Sequence, residues 1–179
     1  MIFKKIGIEG AFKILPEPFS DSRGVFRRSF CEEEFKKNGI ASNVSQSNIS
    51  ENFNKYTLRG FHYQTGSHGE DKTMMCLSGS AYDIIVDLRP KSSTYLKWES
   101  IELTQKNRYA LHIPKGCANS FLTLSDNTTM VYYSSNHYEP KFEKGIRYND
   151  PLFDFKWPIT IPEHISEKDA NWPNFKKSK

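Results

Sequence analysis

The segment Leu58-Arg-Gly-Phe-His-Tyr-Gln64 sets a histidine among strand-forming residues, three positions after an arginine. An imidazole titrates near neutral pH, so His62 is suited to removing a proton from a substrate. On a regular strand Gly60, His62 and Gln64 share one face and Arg59 lies on the other. For Arg59 and His62 to act in one pocket, the strand needs a bulge at Gly60 or a second subunit must contribute. Taken alone, a strand histidine is more often a satisfied structural residue, and His68, His112, His137 and His164 read as surface or structural. Metal chemistry is short of donors, because this segment offers one imidazole where a transition metal takes two or three nitrogen ligands. Cys31, Cys76 and Cys117 have neither CxxC nor CxxH spacing and read as reduced, small buried residues.

Short β-rich runs separated by turn residues surround this segment, a spacing that predicts an all-β sandwich or barrel with a few short peripheral helices. The expected strands are 12–15, 25–30, 44–49, 58–63, 73–77, 82–88, 98–103, 110–113, 121–124 and 130–134. Gly79 suits a hairpin and Asp126-Asn127 another tight turn. A short helix is expected after Ser29, where Glu32 completes a capping box and Gly39 supplies the stop. A second capping signature joins Ser166 to Asp169. The Pro-containing tail after Asn149-Asp150-Pro151 should pack on the barrel, because Trp157, Trp172 and Pro173 would be costly to leave in water.

With 179 residues and 37% hydrophobic content, the chain can bury one substantial core, which predicts a single domain over 1–179. No apolar run approaches a membrane span and the start lacks a signal-peptide region, so a cytoplasmic location is expected. The net charge of +4 is spread along the chain. That distribution favours a small anionic ligand over nucleic acid, and the basic KKSK end reads as a frayed solubilising tail.

Pro114-Lys-Gly116-Cys-Ala-Asn119 has the spacing of the second box of a cupin barrel, with asparagine where a metal-binding cupin has histidine. The paired His-x-His of the first box is also missing, so a metal-free, double-sheet jelly-roll barrel is the better reading. Further segments extend the likeness: Asp21-Ser-Arg-Gly24, Gln46-Ser-Asn48, Tyr82-Asp-Ile-Ile-Val-Asp-Leu-Arg89, Asn149-Asp-Pro151 and Ser166-Glu-Lys-Asp169. Together they resemble the dTDP-4-dehydrorhamnose 3,5-epimerases from about Phe12 to Pro173.

The resemblance implies a cofactor-independent isomerase that inverts C3, C5 or both in a nucleotide-linked 4-keto-deoxy sugar for surface polysaccharide synthesis. His62 would be the base, Asp169 its carboxylate partner, Tyr132 the acid on the opposite face of the ring, and Lys72 the cation beside the enolate oxygen. Arg23 and Arg59 would bind the diphosphate, helped by Gln46 and Asn48. Tyr138 would stack on the base, and Glu143 and Lys168 would touch the ligand. Two positions depart from the family. Arg28 stands where it has a glutamate that accepts from thymine N3, which favours either a base offering acceptors, as in a CDP- or GDP-linked sugar, or an extra phosphate contact. Asn119 replaces a histidine near the phosphates or sugar. The family also implies a homodimer whose N-terminal strands cross into the partner's sheet, bringing residues from near Arg23 to Arg28 into its pocket. A ketoisomerase on the same barrel and a non-catalytic sugar-nucleotide-binding cupin are the alternatives.

Overall fold

A computed structural model describes residues 1–177, so Ser178 and Lys179 of the basic tail lie outside the described residues. Two six-stranded β-sheets face each other. One sheet runs β1 (Ile2–Lys5), β2 (Phe12–Leu15), β10 (Ala110–Ile113), β7 (Lys72–Ser78), β12 (Thr128–Ser134) and β5 (Gln46–Asn52), all antiparallel. The other runs β13 (Glu143–Gly145), β6 (Thr57–Gln64), β11 (Cys117–Thr123), β8 (Ser80–Asp87) and β9 (Trp98–Thr104), with β14 (His164–Ile165) parallel to β6. A detached hairpin pairs β3 (Phe19–Asp21) with β4 (Gly24–Phe26). This is the cupin-type double-sheet fold expected.

Alternation along each strand divides the apolar residues between two sides. Met74, Cys76, Leu111, Ile113 and Met130 of the first sheet meet Ala81, Ile85, Leu103, Cys117 and Phe121 of the second in the central core. Met75, between two core residues, faces outward with Val131 and Ile14 and is covered by Phe35 and Ile40. Phe61, Ile84 and Val86 face outward from the second sheet and are covered by Phe153, Phe155 and Trp157. Phe61 stacks on Phe155 at 4.4 Å, so the Pro-containing stretch does pack on the barrel.

The helix after Ser29 starts later than expected. Helix α1 covers Glu32–Lys37 with Cys31 at its N-cap and no side-chain cap, while the Ser29 hydroxyl accepts from Tyr133 OH at 3.0 Å. Packing of Phe30 against Phe35 and Tyr133 draws Ser29 away from the helix end. Gly39 does provide the stop, with φ +69. The run expected as strand 25–30 pairs only to Phe26. Gly79 does not close a hairpin: β7 and β8 lie in different sheets, so this turn carries the chain from one to the other. Helix α2 (Glu167–Ala170) begins as expected, with Ser166 Oγ accepting from the Asp169 amide at 3.1 Å.

Candidate active site

The bulge required at Gly60 is present. Gly60 pairs with Ser120 and His62 with the adjacent Asn119, so Phe61 has no partner on β11 and turns outward into the aromatic cover. Arg59 and His62 thereby come to the same cavity. Gly60 itself has φ +117, and a Cβ there would fall 2.6 Å from the Asn119 carbonyl oxygen. Only glycine fits.

Two adjoining hollows, of about 360 and 330 Å³, share His62, Lys72 and Tyr132 and form one cleft between the sheets. The first is also lined by Ser50, Arg59, Met74, Asn119 and Phe121. The second is also lined by Gln46, Asn48, Gln64, Glu70, Tyr138 and Glu143. A larger hollow of about 580 Å³ runs along residues 148–160 and contains none of the candidate side chains.

His62 Nε2 lies 2.6 Å from Asp169 Oδ1, and the other oxygen of Asp169 accepts from the Gly60 amide at 3.2 Å. Helix α2 brings Asp169 to this point while leaving it only 4% exposed. Burial acts to raise the Asp169 carboxyl, but the His62 hydrogen bond and charge and the Gly60 N–H outweigh it, holding the group below the ordinary carboxylate value. It is therefore an anion at neutral pH, and its hydrogen bond fixes the orientation of the imidazole.

Tyr132 lies on β12, opposite Asn48 of β5. Burial and the nearby Glu70 charge push its phenol above the ordinary value, partly countered by Arg59, so it keeps its proton. Lys72 Nζ lies 3.3 Å from Glu70 Oε1, and both side chains are largely buried. At the outer rim, Tyr138 OH donates to Glu143 Oε2 at 2.7 Å, and Lys168 Nζ reaches the same oxygen. That bond to Glu143 drives the Tyr138 phenol up to about 12. Burial acts to raise Glu143, but Lys168, Tyr138 and His62 together hold it low. Gln46 Oε1 accepts from the Tyr138 amide at 2.6 Å, tying β5 to this rim.

Asn119 is buried, with Nδ2 donating to Asp83 Oδ2 at 3.2 Å. Arg23 and Arg28 lie apart from the cleft. Arg23 pairs with Asp21 on the β3–β4 hairpin, with its side chain 86% exposed, and Arg28 donates to Glu34 at 2.8 Å. Glu70, Asp83 and Asn52 were not singled out in the sequence. Glu70 lies in the loop just before β7, two residues from Lys72, and its nearness in the chain to that lysine was the available signal. Asp83 and Asn52 carried none, because their partners come from other strands. Among the described residues no group of three or more His, Cys, Asp and Glu side chains is arranged to hold a metal ion.

The family model described as dTDP-4-dehydrorhamnose 3,5-epimerase matches residues 5–177. The chain belongs to this family. It is 37% identical over 172 residues to the dTDP-4-dehydrorhamnose 3,5-epimerase of Methanothermobacter thermautotrophicus, covering 95% of this chain and 92% of that one. The crystal structure of the Bacillus anthracis enzyme, with TDP and PPi bound, superposes with a TM-score of 0.93 at 31% identity, covering 97% of this chain and all of that one. A 3'-monoepimerase from Streptomyces bikiniensis in complex with dTDP-quinovose superposes with a TM-score of 0.88 at 32% identity, covering 94% and 85% of the two chains. As a member of the dTDP-4-dehydrorhamnose 3,5-epimerase family the chain is an isomerase.

Proposed function

We propose that the enzyme epimerises C3, C5 or both of a 4-keto-6-deoxyhexose carried on a nucleoside diphosphate. The observation that carries this reading is the 2.6 Å His62–Asp169 pair in a cleft shared with Tyr132 and Lys72. The ketone acidifies the carbons beside it. His62 removes the proton from one face, and the Asp169 carboxylate stabilises the imidazolium that forms. The electron pair moves into the carbonyl as an enolate, and the Lys72 ammonium offsets its charge in a site with little water. Tyr132 donates a proton to the carbon from the opposite face, which inverts it.

Arg59 supplies a forked cation for the diphosphate, Gln46 and Asn48 neutral hydrogen bonds, and Tyr138 an aromatic face for the base at the rim. The nucleotides bound to relatives favour dTDP. Arg28 gives little support to a cytidine or guanosine carrier, because within one chain its guanidinium is engaged by Glu34. The reading includes a homodimer. It is supported by the β3–β4 hairpin, which pairs with neither main sheet while exposing Phe19 at 63% and Phe26 at 76%. Such a hairpin suits the open edge of β5 in a second copy and would bring Arg23 to its cleft. Three free cysteines support a reducing, cytoplasmic setting.

The test is to incubate the enzyme with the dTDP-linked 4-keto-6-deoxyhexose in deuterated water and assign the product by NMR. Deuterium at inverted C3 or C5 with the ketone still at C4 is expected. Migration of the ketone would identify a ketoisomerase instead, and no exchange would refute both. Light scattering should give the mass of two chains.

A further inference from the structure

Among the described residues Arg59 meets one hydrogen-bonding side chain, and that contact leaves most of its guanidinium free. Its Nε donates to Asn52 Oδ1 at 2.7 Å, and among the described residues no carboxylate lies within ion-pair distance of it. The two terminal nitrogens of the fork are left to the cleft that Arg59 lines.

Asn52 is the last residue of β5 and is only 3% exposed. Its amide nitrogen donates to the Thr128 carbonyl at 3.0 Å and to the Ser50 carbonyl at 3.1 Å. These two acceptors use both N–H groups and fix which way the amide points. Turned over, it would set an oxygen against two carbonyls and an NH2 against a guanidinium. The oxygen is therefore locked towards Arg59. Because that oxygen is neutral, it restrains the guanidinium without cancelling its charge, which a carboxylate would do. A restrained side chain also loses less rotamer freedom when it captures an anion.

We propose that Asn52 is a positioning residue, which holds Arg59 by its Nε so that the terminal N–H pair meets the diphosphate of the substrate as a preformed, fully charged fork. The inference rests on the proposed role of Arg59 in diphosphate binding. It assigns Asn52 no contact with the ligand.

The test is a double-mutant cycle read by calorimetric binding of dTDP, with kinetics alongside. Arg59→Ala alone should weaken dTDP roughly tenfold to a hundredfold, the range for charge-assisted contacts. Asn52→Ala should weaken it about tenfold in the otherwise unchanged enzyme and by less than about twofold when Arg59 is already alanine. In turnover, Asn52→Ala should raise KM about tenfold and leave kcat within about twofold, as expected for a contact kept equally in ground and transition states. Asn52→Ser, whose hydroxyl ends one bond short of the Asn52 oxygen and so cannot reach Arg59, should behave like the alanine variant, and an unchanged thermal unfolding midpoint would show that the loss is not misfolding. Equal losses from Asn52→Ala in both backgrounds, or unchanged dTDP affinity in Asn52→Ser, would overturn the role of Asn52. If Arg59→Ala itself leaves dTDP binding intact, the diphosphate reading of Arg59 fails instead.

Discussion

The imidazole of His62 and the carboxylate of Asp169 stand 2.6 Å apart although 107 residues separate them in the chain. The contact depends on a β-bulge, which turns His62 into the cleft, and on a one-turn helix whose cap presents Asp169 beneath it. Removing the charge while keeping the shape tests the pair. Asp169→Asn should lower kcat by roughly a hundredfold or more, since the imidazolium loses its counter-charge and its tautomer is no longer set. His62→Ala should abolish exchange of substrate hydrogen with solvent.

Tyr132 and His62 have separable tasks. In Tyr132→Phe the base can still remove a proton and return solvent hydrogen to the same face. Deuterium should enter the substrate within about tenfold of the normal rate, while the inverted product falls by about a hundredfold, the range of a lost general acid. NMR of a reaction quenched early in deuterated water distinguishes the two. Parallel loss of exchange and inversion would count against Tyr132 as the opposing acid.

Gly60 has a backbone that L side chains rarely adopt and backbone neighbours that cannot retreat. Gly60→Ala should cost on the order of 3 kcal/mol or more in a denaturant titration, from strain and from displacement of β11. Because the Gly60 amide also donates to Asp169, activity should fall in whatever fraction remains folded.

His112 is buried beside Phe12 and Phe35, bonded to the Thr73 hydroxyl, with Asp71 at 3.7 Å. Burial pushes its imidazole down to about 4. The folded state thus binds this proton less readily than the unfolded chain. Stability from the neutral ring is complete above about pH 6.5 and should decline as pH falls towards 4, by at most on the order of 3 kcal/mol. Chemical denaturation at several pH values should show that slope, and His112→Gln should flatten it.

Burial raises the Cys76 thiol to about 11 and the Cys117 thiol to about 12, whereas Cys31 is only partly buried. A thiol reagent at neutral pH should therefore modify Cys31 in the native enzyme and reach the other two only on unfolding. Rapid labelling of all three would show that the central core opens.

Much of this was legible in the residue order. Strand alternation, the His62 segment and the capping signature at Ser166 depend on neighbours within a few positions, and local periodicity determined them. The same local reasoning misread Ser29 and Gly79. A cap can be outcompeted by a partner such as Tyr133, and a turn reads alike whether it joins paired strands or opposite sheets.

By itself, then, the sequence determined the β-rich class and the family, which follow from short-range pattern and motif, and it named the candidate acid–base residues through the resemblance to that family. The tertiary structure alone decided that a bulge brings Arg59 to the side of His62, that Glu70 pairs with Lys72 beside Tyr132, and that Asn52 holds Arg59. The physical reason is that strand register and sheet facing arise from packing over the whole barrel. Contacts of that kind leave no periodic trace in the chain.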